Sequence, residues 1–299
     1  MQTTEFIWLN GKLIPWDEAK VHVLTHTLHY GGGTFEGVRF YKTEQGPAIF
    51  RLEEHVDRLL YSIDILKMPF SYSKEEVLAA MIDTARATKL EEGYIRPLAY
   101  YGYGKMGVNP IGSPVDFMIA SWPWASYLRH DIVDIKTSKY IRIHPASTVV
   151  DAKLCGHYVN SILASLELLG THYHEVVFLD SAGFISEGAG ENFFIVKNDV
   201  VYTPKLGTIL PGITRHTLLQ VMQKLGIKAQ EADITLEDAL QADEAFFSGT
   251  AAEVTPIRSI NDRVLGEGKI GPITTKIKQK YYDIVHGKDP EFTKYLTFI

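Results

Sequence analysis

Four short stretches of the chain hold residue types from which an active site can be built. Lys153 lies in TVVDAKLCGHY, residues 148–158, among small and apolar neighbours. There an amine loses hydration, its neutral form is favoured, and a neutral amine attacks carbonyls. SEGAGEN, residues 186–192, sets Glu187 and Glu191 around Gly188, Ala189 and Gly190. The small residues let another group approach the backbone, and either carboxylate can pair with a ring nitrogen and keep it protonated. LPGITR, residues 210–215, puts Pro211-Gly212 ahead of a helix start at Thr214, where N–H groups and the helix dipole suit a phosphate. SGTAAE, residues 248–253, is a second run of small residues able to supply backbone and hydroxyl donors.

Each stretch also has an ordinary reading. Lys153 can be a surface lysine snorkelling from a strand end, SEGAGEN a solvated turn, and the other two capped helix starts. Together, an amine, a carboxylate for a ring nitrogen and two phosphate cradles are what a pyridoxal 5′-phosphate (PLP) site requires. A competing class is a metal hydrolase, because His22, His26 and His29 in VHVLTHTLHY are spaced as ligands on a helix would be. However, Val21-His22-Val23-Leu24-Thr25 is strand-like, which would put His22 and His26 on one face and His29 on the other, and no HExxH accompanies them. Histidines packed beside a domain edge are the plainer account.

The elements that must position these residues follow from periodicity. Asn10-Gly11 between Phe6–Leu9 and Leu13–Trp16 predicts a two-residue hairpin turn. Val56, Leu59, Leu60, Ile63 and Leu66 form the stripe of a helix over Leu52–Lys67, and Ser73 with Glu76 opens a second helix with a capping box. Tyr94–Tyr101, Val115–Trp122 and Ile132–Ile143 read as strands, Tyr158–Leu169 as a helix, Val176–Asp180 with Phe184–Ser186 as a hairpin, and Phe193–Val196 as a strand. SWPWASYLRHD breaks the pattern and reads as a connection. The expected fold is thus α/β (α+β), with a smaller N-terminal α/β domain at 1–122, an interdomain loop at 123–131 and a larger, barrel-like domain at 132–299.

Composition excludes other classes. The 299 residues are 45% hydrophobic and 22% charged with a net charge of -6, which gives nucleic acid or an anionic membrane little to attract. Cys155 is the single cysteine, so neither an internal disulfide nor a CxxC site can form. No secretory signal or membrane span is legible, and a cytoplasmic enzyme is expected.

HYGGGTFEGVRFY (29–41), GYIRP (93–97), GKMGVNP (104–110), the Lys153 segment, SEGAGEN, LPGITR and SGTAAEVTP together resemble the branched-chain amino acid aminotransferases of PLP fold type IV, in the family's order and spacing. The resemblance implies transamination of leucine, isoleucine and valine with 2-oxoglutarate. Lys153 would carry PLP covalently and then shuttle the substrate Cα proton. Glu187 would bond the pyridine nitrogen and Tyr158 the phenolic oxygen, while Arg58, Ile213, Thr214 and Thr250 would bind the phosphate. Tyr30, Phe35, Val108, Tyr127 and Tyr158, with Gly37 and Arg39 of FEGVR, would shape the substrate pocket. Arg96 and Tyr94 would receive the glutamate carboxylate, and the N–H groups of Thr250 and Ala251 the α-carboxylate. In relatives the loop holding Val108 reaches a neighbouring subunit, so a homodimer or larger assembly is implied.

Two departures stand out. Cys155 and His157 follow the lysine where the family has small residues and an asparagine, which would alter the hydrogen bonds around the cofactor ring. Gly32-Gly33-Thr34 is unusually small, which would loosen the pocket wall. D-amino acid aminotransferases, (R)-amine transaminases and aminodeoxychorismate lyase share the Lys and SEGAGEN regions; YIR and MGV set this chain apart from them. A binding protein that keeps the scaffold without catalysis is the remaining alternative.

Overall fold

Asn10 and Gly11 take φ of 46° and 95° and join β1 (Phe6–Leu9) to β2 (Lys12–Pro15), as the Asn-Gly pair requires. A computed structural model describes residues 2–124, 128 and 130–299. Tyr127, with Ala125, Ser126 and Arg129 of the expected interdomain loop, lies outside the described residues. The chain forms two compact units: 1–124 with 152–156 and 284–299, and 125–151 with 157–283.

The first unit continues with α1 (His26–Tyr30), β3 (Gly33–Phe35), β4 (Val38–Thr43), β5 (Gly46–Phe50), α2 (Leu52–Ile65), α3 (Lys74–Ala87), β6 (Gly93–Tyr101) and β7 (Val115–Trp122). Its antiparallel sheet runs from the strand Leu296–Phe298 through β5, β4, β6, β7 and β1 to β2, with β3 also on β6. The α2 stripe of Val56, Leu59 and Ile63 packs with Val77 and Met81 of α3 against Ile95, Phe117 and Ile119 of the sheet. Ser73 and Glu76 close the expected capping box. The Tyr101 hydroxyl donates to the Leu66 carbonyl (2.7 Å), satisfying an acceptor past the end of α2.

The division differs from a single cut at 123–131. Residues 152–156 join the first unit because Thr34 and Leu154 form a β-bridge, and 284–299 do so because Leu296–Phe298 completes the sheet on β5. Neither pairing leaves a local signal in sequence. The strand expected over Val21–Thr25 is also absent: Thr25 is followed by α1, which Gly31 closes at φ 70°. Local β propensity yields there to tertiary contacts.

The second unit contains β8 (Val133–Ile141), α4 (Tyr158–Leu166), β9 (Glu175–Leu179), β10 (Ile185–Gly188), β11 (Asn192–Lys197), β12 (Val200–Pro204), α5 (Ile213–Lys224), β13 (Lys228–Ala232), α6 (Leu236–Leu240), β14 (Glu244–Gly249), β15 (Glu253–Ile260) and β16 (Arg263–Val264), followed by α7 (Pro272–Val285). The strands run in the order β10-β9-β8-β15-β14-β11, and β10 pairs with β11 to close the ring into the expected barrel. β11 and β14 are buried on both faces, which explains their unbroken apolar runs, and Phe194 stacks on Phe246 at 4.7 Å. Asp134 pins the parallel β8–β15 pair by accepting from Arg258 Nε (2.7 Å) and Ser259 Oγ (2.6 Å).

Glu175 is buried on β9, where its carboxylate accepts from the Val176 N–H (2.8 Å). Burial pushes its pKa from 4.5 up to about 7. Below 4.5 the carboxyl is protonated in both folded and unfolded chains; as pH rises toward 7 the unfolded chain ionises first, and folding loses stability. We predict that Glu175→Gln matches the wild type near pH 4.5 and becomes more stable by about 3 kcal/mol above pH 7. Denaturant midpoints measured across that range check this, and a pH-independent difference would refute it.

Candidate active site

Within the first unit, Lys153 is held by its backbone. Its N–H donates to Ser62 Oγ of α2 (3.0 Å), and its carbonyl accepts from the Phe35 N–H (3.2 Å) and Thr34 Oγ1 (3.0 Å) of β3. Ser62 Oγ donates in turn to the Arg58 carbonyl (2.9 Å), so the hydroxyl is engaged in both directions. A half-buried Lys153 side chain then places Nζ 5.2 Å from the centre of the Phe35 ring.

The same ring carries Arg96, whose guanidinium carbon lies 4.6 Å from its centre. Arg96 Nη2 donates to the Tyr94 hydroxyl (3.2 Å), and Arg96 Nε is buried without a hydrogen-bond partner among the described residues. Two sequence motifs meet here through the β4–β6 register, with Arg39 opposite Tyr94. Gly37 is required: a Cβ there would lie 1.8 Å from the Tyr94 hydroxyl oxygen. The structure thus brings together Lys153, Phe35, Gly37, Arg39, Tyr94 and Arg96.

Beside Phe35, Glu36 is fully buried and accepts from Arg58 Nε (2.6 Å) and Nη2 (2.9 Å) and from His55 Nδ1 (2.8 Å). Burial alone would raise the Glu36 pKa, but the Arg58 charge and the hydrogen bonds hold it far below the carboxylate range. Burial also pushes His55 down, against the pull of Glu36, so His55 is the neutral member and donates through Nδ1–H. Arg58 is therefore a fixed cation, its guanidinium plane set by a bidentate pair.

Within the second unit, Glu187 is the anchor. Its Oε1 accepts from Arg142 Nε (2.7 Å), and its Oε2 accepts from Asn192 Nδ2 (3.1 Å) and the Leu210 N–H (3.1 Å). Asn192 Nδ2 also donates to the Leu210 carbonyl (3.0 Å), joining SEGAGEN to LPGITR. A Cβ at Gly212 would lie 1.9 Å from Asn192 Oδ1, which is why that position is glycine. Asn192 faces Ser248 in the β11–β14 register, which brings SGTAAE, with Thr250 and Ala251, to the same end of the barrel. Ser161 of α4 donates to the Ala189 carbonyl (2.7 Å), and Arg142 Nη1 donates to Asn160 (3.2 Å), so the helix that begins at Tyr158 docks on the motif.

The helix start expected at Thr214 falls one residue earlier. Gly212 is the N-cap of α5 and supplies no capping side chain, so no side chain consumes the first-turn amides around Ile213 and Thr214. Taken unit by unit, the residue types fit PLP: the first unit offers an amine on Lys153, and the second a buried, braced carboxylate on Glu187 and an uncapped helix start suited to a phosphate. Ser248 Oγ, fully buried without a partner among the described residues, adds a further donor.

Other expectations resolve differently. Tyr30 and Val108 are exposed, at 43% and 82%, and meet each other's segment: the Tyr30 hydroxyl accepts from the Gly107 N–H (3.2 Å). His22, His26 and His29 do not converge; His22 stacks on Tyr103, while His29 bonds the Val23 carbonyl. Among the described residues no group of His, Cys, Asp and Glu could hold a metal ion, and no helix is long and apolar enough to cross a membrane. Gly33 does not loosen the wall. A Cβ there would lie 3.0 Å from Cys155 Sγ and from Thr27 Cγ2, so the glycine accommodates the cysteine. Burial pushes the Cys155 thiol up to about 11, against Arg96, leaving it an inert filler. His157 Nε2 bonds Thr148 Oγ1 (2.6 Å).

Sequence reading misses Glu36, His55, Ser62, Arg142 and Asn160 as supports. Glu36 at least falls inside a motif quoted above; the others carry no local signal.

The Amino-transferase class IV family matches residues 33–260, and the chain belongs to it. It is 44% identical, over 98% of its length and 97% of the relative, to the branched-chain-amino-acid aminotransferase of Pseudomonas aeruginosa. The branched-chain amino acid aminotransferase of Escherichia coli superposes with a TM-score of 0.95 at 41% identity, over 98% of this chain and 99% of the other. That of Thermobaculum terrenum, solved in its PLP form, superposes with a TM-score of 0.93 at 33% identity, over 99% of each chain. Within the class the chain is a member of the branched-chain-amino-acid aminotransferases.

The Gly33–Cys155 contact yields a test. Gly33→Ser is expected to destabilise the protein by about 1–3 kcal/mol through overpacking, and Cys155→Gly in the same chain should restore part of the loss, since Thr27 and Tyr100 still crowd the added side chain. Thermal melts of the single and double variants check this; additive losses would show that the two positions do not share space.

Proposed function

We propose that the chain transfers the amino group of leucine, isoleucine and valine to 2-oxoglutarate, with PLP as cofactor, giving branched 2-oxo acids and L-glutamate. The observation that carries this reading is the grouping of Lys153 and Arg96 on the Phe35 ring, with Arg96 Nε buried and unpartnered among the described residues. It supplies an amine, an apolar wall and an arginine for a side-chain carboxylate, which a site alternating between leucine and glutamate needs.

In this reading Lys153 Nζ would hold the cofactor covalently and, as a free amine, would take up the proton from the substrate Cα. PLP, when bound, supplies the electron-poor ring that absorbs the charge left at that carbon. Glu187, braced by Arg142 and Asn192, would pair with the pyridine nitrogen. Tyr158 would bond the phenolic oxygen. Arg58, Thr250 and the first-turn amides of Ile213 and Thr214 would hold the phosphate. Arg96 and Tyr94 receive the glutamate carboxylate, and the Thr250 and Ala251 N–H groups the α-carboxylate. Phe35, Tyr30, Val108, Tyr127 and Tyr158, with Gly37 and Arg39, shape the remaining pocket.

We further infer a cytoplasmic homodimer. Val159, Ile162, Leu163 and Leu166 leave an apolar face of α4 exposed, which a second copy would cover, and the Val108 loop would complete the partner's pocket. Light scattering is expected to give the mass of two chains or a multiple of it, and a monomer at micromolar concentration would overturn this.

Lys153→Ala should abolish the long-wavelength absorbance of lysine-bound cofactor and lower leucine–2-oxoglutarate turnover by about 10³-fold or more. The wild type should prefer L-leucine over D-alanine and over a chiral amine. Retained absorbance in the variant, or preference for either of the other donors, would sink the assignment.

A further inference from the structure

We propose that His26 is a positioning residue that sets the loop carrying Val108, and through it the fit of the branched substrate. This rests on the reading of Val108 as a pocket wall. His26 is only 2% exposed although its helix lies at the surface. Its Nε2 lies 2.8 Å from the Gly107 carbonyl, which can only accept, so Nε2 carries a hydrogen and donates. The neighbouring Tyr30 hydroxyl accepts from the Gly107 N–H, so α1 grips both polar groups of one peptide residue. Gly107 itself stands at φ 107°, a conformation that a side chain would strain.

Further contacts make the grip rigid. The His26 N–H donates to the Gly102 carbonyl (3.0 Å), Thr25 bridges to Tyr103, and the His26 ring lies 4.7 Å from Tyr30 and 5.8 Å from Tyr101. The loop is also tied within itself, where Ile111 N–H donates to Asn109 Oδ1 (3.0 Å) and Lys105 Nζ to the Ile111 carbonyl (2.5 Å). The opposite end of α1 touches the lysine segment. Gly31 closes the helix, and a Cβ on it would come 3.0 Å from Gly156 Cα. One short helix therefore fixes the loop through its first and last residues and abuts the Lys153 segment just past its end. Val108, next to the gripped residue, cannot shift without breaking the His26 or Tyr30 bond.

The test compares His26→Leu with His26→Gln, whose amide can reproduce the Nε2 donor, in the PLP-loaded enzyme. His26→Leu is expected to speed tryptic cleavage after the exposed Lys105 and to raise KM for leucine about tenfold, the loss of one buried hydrogen bond, with kcat changed far less. His26→Gln should restore both. Unchanged cleavage, an unchanged KM, or a glutamine variant no better than the leucine one would overturn the proposal. Failure of the wild type to turn over leucine would count instead against the proposed reaction, and the cleavage readout separates the two cases.

Discussion

A carboxylate inside a protein survives only if donors replace the water it gave up, because an unpaired buried charge costs several kcal/mol. Glu187 meets that condition with partners drawn from three places: Arg142 at the end of β8, Asn192 at the start of β11 and the Leu210 N–H ahead of α5. The acid cannot be buried unless those segments converge. Their convergence closes the β10–β11 side of the barrel and sets the uncapped start of α5 beside SEGAGEN. The chemistry of the second unit and the closure of its sheet thus answer to one requirement.

The first unit repeats the device with Glu36. Arg58 and His55 of α2 satisfy it, which fixes the helix to the turn that follows β3, and β3 in turn holds the Lys153 carbonyl. Lysine, arginine and aromatic wall are therefore placed by backbone bonds and a buried ion pair, not by their own side-chain preferences. Removing one partner of such a pair is expected to cost far more than the pair contributes as a whole.

Local structure was largely legible in sequence, and the supports of the site were not. The Asn10-Gly11 turn, the α2 stripe and the Ser73 cap each involve residues a few positions apart, where pattern carries information. Glu36 and Arg58 are 22 positions apart, and Glu187 and Arg142 are 45; no periodicity links them. Lys153, Glu187 and LPGITR could be picked out because their neighbours are unusual in type. Ser62 looks like any helix serine until Lys153 is seen donating to it. The misread strand over Val21–Thr25 has the same cause: β-branched residues suggest extension, while the segment turns and bridges at Thr25 to Tyr103 before α1 begins.

Residues 296–298 complete the first unit's sheet on β5, although every other strand of that sheet is encoded before residue 123. The second unit's last residues, up to 283, come earlier in the chain. During synthesis from the N-terminal end, the barrel can therefore acquire all its strands while the earlier sheet still shows β5 as an open edge. That edge stays open until residues 296–298 emerge, so the nascent protein is exposed to mispairing in the half that was made first.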